Sequence, residues 1–306
     1  MELLTNILAA TVVAGTPLLL VALGELICER SGVLNLGQEG MMLMGAVAGF
    51  IAALTTGSLV VGVAAAILAG VGMSLLFAFM AVTLAANQYA AGLALTIFGT
   101  GLSAFVGAGF VGEPIDGFTR VAIPVLSDIP VIGRVLFNQD PLVYLSLIAF
   151  AAVAVFLRHT RGGLLLRAVG EDPEAANANG LKVLVVRYLA VAFGGGMAGL
   201  AGGYLSLAYT PLWTENMTAG RGWIALALVV FATWRPERVV LGAYLFGAAS
   251  ILHLVLQGLG WNSSTELLAM LPYVVTILML VLLSWNPART RLNTPLSLGQ
   301  PYRPGR

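Results

Sequence analysis

Long apolar runs recur along this 306-residue chain, and they leave few folds open to it. A membrane-crossing helix needs about 20 predominantly apolar residues. Charged residues make up 9% of the chain, against roughly 25% in soluble domains, so there are too few charges to coat a soluble core of this length. The sequence therefore predicts an all-α, polytopic membrane bundle of about 8–10 transmembrane helices, formed by residues 1–306 as a single domain.

The spans that we expect follow one another through mostly short connections. They are Ile7–Leu23, Met41–Thr55, Ser58–Ala86, Tyr89–Phe110, Leu142–Leu157, Leu184–Leu207, Trp223–Trp234, Val239–Leu256 and Leu267–Trp285. Pro17 predicts a kink in the first span, and no basic residue precedes that run, so we expect it to be retained rather than cleaved as a signal peptide. Prolines and arginines after Asn286 predict an irregular tail over residues 286–306.

The stretch Gly24–Gly40 breaks the apolar pattern soon after the first span. Its polar side chains are those of Glu25, Glu29, Arg30, Asn35, Gln38 and Glu39. One charge at the centre of a lipid-facing helix costs roughly 2.5–3.5 kcal/mol on insertion scales, which disfavours such a helix here. We predict a broken or re-entrant segment lining an aqueous path, because irregular backbone survives at membrane depth only inside protein or around water. A cytoplasmic loop is the alternative.

Polar residues for a translocation path are found in this stretch and at the start of a later span. The candidates are Asn35, Gln38, Glu39, Asn87 and Gln88. Asn87 and Gln88 serve equally well as hydrogen-bonding residues between helices, and the sequence leaves both roles open.

Small residues mark one face of the span Leu184–Leu207. Gly195, Gly199 and Gly203 recur every four residues, which places them on the same side of a helix. This spacing lets two membrane helices approach closely. We expect helix packing within the chain, and a dimer interface is the alternative.

The longest polar, charge-dense stretch is Gly162–Gly180, which reads GGLLLRAVGEDPEAANANG. It predicts a loop outside the bilayer, within a connection at 158–183. A short helix is expected inside it, because Asp172 is a good N-cap, Pro173 suits the first helical position and Gly180 suits the residue after a helix. On these features alone the helix is as much an amphipathic connector as a docking element.

Three motifs together resemble those of one transporter family. Glu174-Ala175-Ala176, with Gly180 four residues later, is similar to the EAA-x-x-x-G signature of ATP-binding-cassette (ABC) importer permeases. The stretches ERSGVLNLGQEG (29–40) and GWIALALVVFATWRP (222–236) resemble segments of the branched-chain amino acid, ribose, simple-sugar and nucleoside permeases, with Ala232-Thr233 as a departure. The chain looks most like the shorter permease of a nucleoside or simple-sugar system.

The resemblance implies a mechanism and a set of partners. A cytoplasmic ABC ATPase is expected to dock on a coupling helix at 172–180. The residues implied in this docking are Glu171, Asp172, Pro173, Glu174, Ala175, Ala176 and Gly180. The resemblance also implies a second, longer permease subunit in a heterodimer and an extracytoplasmic solute-binding protein. ATP and Mg²⁺ are expected in the ATPase, with no cofactor bound by this chain.

Basic residues set the expected orientation in the membrane. They concentrate in three regions. The first is the connection between the spans at 142–157 and 184–207 with its flanks, which include Arg187; the others are Arg235 with Arg238, and the tail. The positive-inside rule places these three regions in the cytoplasm. We therefore predict a multi-pass protein in the lipid bilayer of the cytoplasmic membrane, with a cytoplasmic C-terminus and with the loop 111–140 facing an external partner.

Catalytic and metal-binding motifs are absent from the sequence. It has no glycine-rich phosphate loop, no Gly-x-Ser-x-Gly elbow and no His-Glu-x-x-His pair. One cysteine and two separated histidines offer no metal cluster, and a net charge of +1 gives no support for nucleic-acid binding. We expect a transport subunit and no enzyme. The alternative hypothesis is an ion-coupled secondary transporter or channel that uses Glu25, Glu29 and Glu39 as a relay.

Overall fold

The computed structural model describes residues 2–258, 270, 274, 277–278, 281 and 293–304. In this part of the chain seven helices are long and apolar enough to cross a membrane. They are α1 (Glu2–Arg30), α2 (Gln38–Thr56), α3 (Leu59–Ala78), α4 (Gln88–Gly107), α6 (Pro141–His159), α9 (Val183–Tyr204) and α11 (Pro236–Gly258). The predicted all-α membrane bundle is confirmed. Most of the predicted span Leu267–Trp285 lies outside the described residues.

Short elements connect these helices. They are the helices α5 (Ile132–Leu136), α7 (Arg161–Glu171), α8 (Pro173–Ala178) and α10 (Arg221–Phe231), and the strands β1 (Val121–Ala122) and β2 (Asn138–Gln139). Wider π-helical turns extend α3 over Phe79–Thr83 and α9 over Leu205–Tyr209, and a 3₁₀ turn extends α4 over Ala108–Phe110. Residues 293–304 form turns and extended chain without a helix.

α1 is longer than the predicted span Ile7–Leu23. It runs without interruption through Pro17 and takes in Glu25 and Glu29, because both carboxylates are buried against protein, at 0% and 1% exposure. The irregular backbone is therefore confined to residues 31–37, the middle of the stretch in which the break was expected.

The predicted span Trp223–Trp234 is wrong. It falls on α10, which has 11 residues and is about 16 Å long, roughly half of the hydrocarbon thickness of a bilayer. α10 follows Gly220, whose φ is +81°, and ends before Thr233 and Trp234, which both have positive φ. It packs against α1, α2 and α11, so it is a half-helix inside the bundle.

α2, α3 and α9 pack at the centre of the molecule through glycines. Gly195 lies against Ser74, and both Gly199 and Gly203 lie against Ala66, so all three glycines of α9 face α3 of the same chain. A Cβ atom on Gly199 would clash with the Ala66 carbonyl oxygen, which shows that the two backbones touch. Helices at this distance gain dispersion contacts that larger side chains would prevent.

The loop 111–140 covers the opposite end of α9 from α8. β1 and β2 pair antiparallel, and the loop backbone bonds to the π-helical extension of α9, with Phe118 N–H donating to the Leu207 carbonyl (2.9 Å). Asp140 caps α6 by accepting from the Leu142 and Val143 N–H groups at 3.0 and 3.1 Å. Burial raises the pKa of the Asp140 carboxyl above its ordinary value.

Candidate functional site

The connection between α6 and α9 presents α8 on the outside of the bundle. Asp172 caps this helix: its Oδ1 accepts from the backbone N–H groups of Glu174 (3.0 Å) and Ala175 (2.9 Å). Pro173 occupies the first helical position, and Gly180 takes the left-handed conformation with φ +82°. The short helix expected from the sequence is therefore present, with the start and stop that its capping residues dictate.

α8 exposes almost all of its surface. The exposed residues at this helix and its flanks are Glu171, Asp172, Glu174, Ala175, Asn177, Ala178, Asn179 and Gly180. Ala176 is 5% exposed and packs with Val169, Val183 and Tyr302. Ala176 thus anchors α8 on the bundle, while the polar side chains of α8 are exposed.

The C-terminal segment 293–304 fastens this region to the transmembrane helices. Ser297 donates to the Gly170 carbonyl near the end of α7 twice, through its N–H (3.0 Å) and its Oγ (2.7 Å). Two residues later, Gly299 N–H donates to the carbonyl of Gly32, just after α1 (3.2 Å). The segment therefore ties the helix before α8 to the irregular turn between α1 and α2.

Arg187 of α9 is buried, at 1% exposure, beneath the same segment. Its guanidinium donates to Ser297 Oγ (3.2 Å) and to the Gln300 carbonyl (3.4 Å), and its Cζ lies 5.7 Å from the centre of the Tyr302 ring. A buried arginine needs such acceptors. Sequence reasoning placed Arg187 among the cytoplasmic charges and missed this contact; its position inside an apolar run was the available signal.

Glu39 closes the N-terminus of α10 from the first turn of α2. It is 5% exposed; its Oε1 accepts from Thr218 Oγ1 (2.5 Å) and Gly220 N–H (2.8 Å), and its Oε2 accepts from Gly222 N–H (2.6 Å). Two helix N-termini, those of α2 and α10, direct partial positive charge at this carboxylate. Glu39 therefore stabilises a break in the backbone inside the bundle.

Glu25 and Glu29 accept hydrogen bonds from the stretch 24–40 itself and from Trp234. Glu25 accepts from the Asn35 N–H (3.0 Å) and from the side-chain amide of Gln38. Glu29 accepts from Trp234 Nε1 just after α10 (2.5 Å). Glu25, Glu29, Asn35 and Gln38 are at most 1% exposed. Their hydrogen bonds hold the irregular segment and the half-helix on α1.

The two candidates at the start of α4 have different surroundings. Gln88 is buried and joins three parts of the chain, since its Oε1 accepts from the Leu34 N–H (2.8 Å) and its Nε2 donates to the Gln300 carbonyl (3.3 Å). Asn87 is exposed and caps α4 by accepting from the Ala90 N–H (3.0 Å). The structure thus brings Gln88 to the stretch 24–40 and leaves Asn87 at the surface.

Comparison with known proteins decides between the two transport hypotheses. Residues 7–282 match the family described as branched-chain amino acid transport system / permease component. The chain belongs to this family. Membership makes it the permease component of an ABC transporter, in agreement with the three motifs, and the ion-coupled alternative is not supported. Glu25, Glu29 and Glu39 instead serve as buried hydrogen-bond acceptors.

Full-length relatives support the same assignment. The permease is 43% identical to a proposed glucose ABC transporter permease of Haloferax volcanii, with 99% of this chain and 98% of that protein covered. It is 34% identical to a guanosine ABC transporter permease of Bacillus subtilis, with 100% and 98% covered. A nucleoside ABC transporter permease of Lactococcus lactis is also 34% identical, with 90% and 91% covered. No solved structure shows a significant match.

The family also fixes what kind of assembly the permease works in. An ABC permease is a multi-pass protein of the cytoplasmic membrane that works with an ATPase and a solute-binding protein. It is a transport subunit without catalytic residues of its own, so the prediction of a non-enzymatic chain is confirmed.

Proposed function

We propose that this permease forms part of the pathway of an ABC importer for a nucleoside or a simple sugar. The exposed helix α8 supports coupling to an ATPase. It contains Glu174-Ala175-Ala176 and is followed in the chain by Gly180. The relatives named for glucose, guanosine and nucleoside transport support the solute class. Neutral solutes also suit an interior in which Glu25, Glu29 and Glu39 each accept hydrogen bonds from the protein itself.

The ATPase, with its ATP and Mg²⁺, docks on α8 and its flanks in this proposal. Glu171, Asp172, Pro173, Glu174, Ala175, Ala176 and Gly180 form the docking element. Closure of the ATPase displaces α8, and Ala176 transmits that displacement to Val183 of α9 and to Tyr302. The hydrogen bonds of Ser297 with Gly170 and of Gly299 with Gly32 extend it to the turn after α1.

α8 and the C-terminus lie on the cytoplasmic side in this proposal. Support comes from the basic residues at the ends of the helices: Arg158 pairs with Glu237 at 2.6 Å, which joins the end of α6 to the start of α11. Arg187 and Arg303 lie with the tail at the same end. The loop 111–140 then faces outward, where the solute-binding protein docks.

The translocation path follows the break between α2 and α10, with Asn35, Gln38, Glu39, Asn87 and Gln88 as its polar residues. A second, longer permease subunit completes the path from the other side of a heterodimer. Gly195, Gly199 and Gly203 serve packing within this subunit, which forms one domain, rather than the dimer interface; their contacts with α3 support this role.

Reconstitution tests the proposal. The permease is co-expressed with a longer homologue, an ATPase and a binding protein, and uptake of labelled nucleosides and sugars into proteoliposomes is measured with and without ATP. We expect Glu174→Arg to abolish ATP-driven uptake and ATPase co-purification, because it reverses a charge on the docking helix. Asp128→Arg, an exposed change in the loop 111–140, should leave co-purification unchanged. Normal uptake by Glu174→Arg contradicts the coupling assignment.

A further inference from the structure

An apolar cavity of about 530 Å³ lies between α6, α7 and α9, and no residue of the docking element or of the proposed path lines it. Its walls include Ala149, Phe156, Leu165, Ala190, Phe193 and Met197. All the residues that line it are apolar or glycine, so it offers a sugar or a nucleoside no hydrogen-bonding side chain.

The cavity runs along the spans rather than across them. Phe156 and Ala149 both line it and are seven residues apart on α6, which is about 10 Å of helix. Ala190 and Met197 mark the same distance on α9. Leu189, which also lines it, is 66% exposed, so the cavity opens on the outside of the bundle. An elongated apolar cavity on the outside of a membrane-spanning bundle has the form of an acyl-chain site.

Two arginines lie next in the chain to residues near the end of the cavity at α7. Gly162 lines it, and the neighbouring Arg161 is exposed and forms no hydrogen bond or ion pair within the part of the chain that the structure describes. Arg158 is at the end of α6, two residues after Phe156 of the cavity wall, and its pair with Glu237 is exposed, which makes the pair weak. An anion at this end would meet positive charge at little cost in broken contacts.

We propose that this cavity binds an anionic phospholipid, with one acyl chain between α6 and α9 and the phosphate beside Arg161. Basic pockets between transmembrane helices at the cytoplasmic side are suited to anionic headgroups. The bound lipid holds α7 against the spans, and α7 leads directly into α8. The proposal goes beyond the transport function and depends on it only for the side of the membrane.

Native mass spectrometry of the full-length permease tests the site. Phosphatidylglycerol and phosphatidylcholine with identical acyl chains are added in detergent, and the retained lipid is counted. We expect the wild-type protein to prefer phosphatidylglycerol, and Arg161→Gln to weaken that binding about fivefold, the contribution of one cation near a membrane surface. Arg303→Gln, a matched change away from the cavity, should have no effect.

A second variant separates the cavity from a merely basic surface. Ala152 lines the cavity yet is exposed, so Ala152→Phe fills the space without disturbing the core, and we expect it to reduce retention of both lipids. Equal retention of the two lipids by the wild type, equal effects of Arg161→Gln and Arg303→Gln, or unchanged binding by Ala152→Phe would each overturn the proposal. Cross-linking of Leu189→Cys to a second permease subunit would also overturn it, since protein would then cover the cavity. None of these measurements requires transport, so they stand if the solute assignment fails.

Discussion

Two polar stretches of similar length, 24–40 and 162–180, interrupt this apolar chain. The carboxylates of the first are buried, whereas those of the second are exposed. In the first, Glu25, Glu29 and Glu39 are buried and each accepts hydrogen bonds from protein groups. In the second, most polar side chains are exposed, and Asp172 does no more than cap its own helix. The two stretches have similar compositions, so the difference lies in the hydrogen-bond donors that their carboxylates find. Glu29 and Glu39 accept from residues far along the chain, which are Thr218, Gly220, Gly222 and Trp234. Asp172 instead accepts from the backbone of its own helix.

The glycines that close the two stretches show the same contrast. A Cβ on Gly40 would lie 2.7 Å from the Leu95 carbonyl oxygen and 2.9 Å from Thr96 Cα. A Cβ on Gly180 would meet nothing within 4 Å, and that glycine is required by its φ of +82°. The first stretch is thus specified by packing and the second by local backbone geometry, which predicts different consequences for substitutions in each.

Glu39→Ala should have the largest effect on stability. It removes the acceptor of three donors inside the bundle, and each buried unsatisfied donor costs about 1–3 kcal/mol, so we expect a loss of at least about 3 kcal/mol. Thermal unfolding in detergent, followed by size-exclusion chromatography, measures it. The matched change Glu174→Ala should stay within about 0.5 kcal/mol while transport is lost. If the two variants were equally stable, the buried hydrogen bonds of the first stretch would contribute no more to stability than the exposed side chains of the second.

Gly40→Ala should come next. The added methyl group meets backbone atoms of α4, and overpacking of this kind costs about 1–3 kcal/mol. The measurement is the midpoint of thermal unfolding, with Gly72→Ala as control, because a Cβ on Gly72 meets nothing within 4 Å. A midpoint for Gly40→Ala at or above that of Gly72→Ala would show that α2 and α4 separate more easily than their contact suggests.

Asp172→Ala should cost about 1 kcal/mol, and only locally, because it removes the N-cap of a helix that one alanine anchors. Hydrogen exchange of the α8 amides should accelerate about fivefold while the amides of α9 stay protected. Asp172→Ser keeps a capping oxygen and should restore slow exchange. Acceleration that spreads into α9 would mean that α8 is part of the bundle core.

The smallest effect concerns pH and lies outside both stretches. Because burial raises the pKa of Asp140, its neutral form is favoured in the folded protein, and its contribution to stability is full below the ordinary value near 3.9 and declines as pH rises through the folded pKa. The Asp140→Asn side chain cannot titrate. The stability of this variant relative to the wild type should therefore rise as pH increases from the ordinary pKa of aspartate to the raised pKa of Asp140 in the folded protein. A pH-independent difference in unfolding midpoint would contradict the assignment.

Local features of the sequence predicted the local features of the fold. The cap at Asp172, the stop at Gly180 and the long apolar runs act within a few residues, and family motifs supplied the rest of the assignment. Arg187 with Ser297, and Glu39 with Gly220, lie 110 and 181 residues apart, so no short window contains them. The half-helix α10 could not be predicted for the same reason. Its apolar run reads as a span, and nothing in that run shows that a carboxylate on α2 caps it inside the bundle.

The accessibility of α8 is the most direct test that this helix lies in the cytoplasm and binds the ATPase. Cys28 is the single cysteine and is buried, so Ala175→Cys adds one exposed thiol. A membrane-impermeant maleimide is applied from each side of oriented vesicles, with and without the ATPase. We expect labelling from the cytoplasmic side alone, and protection of the thiol by the ATPase. Labelling from the outside, or labelling that the ATPase leaves unchanged, would contradict this expectation.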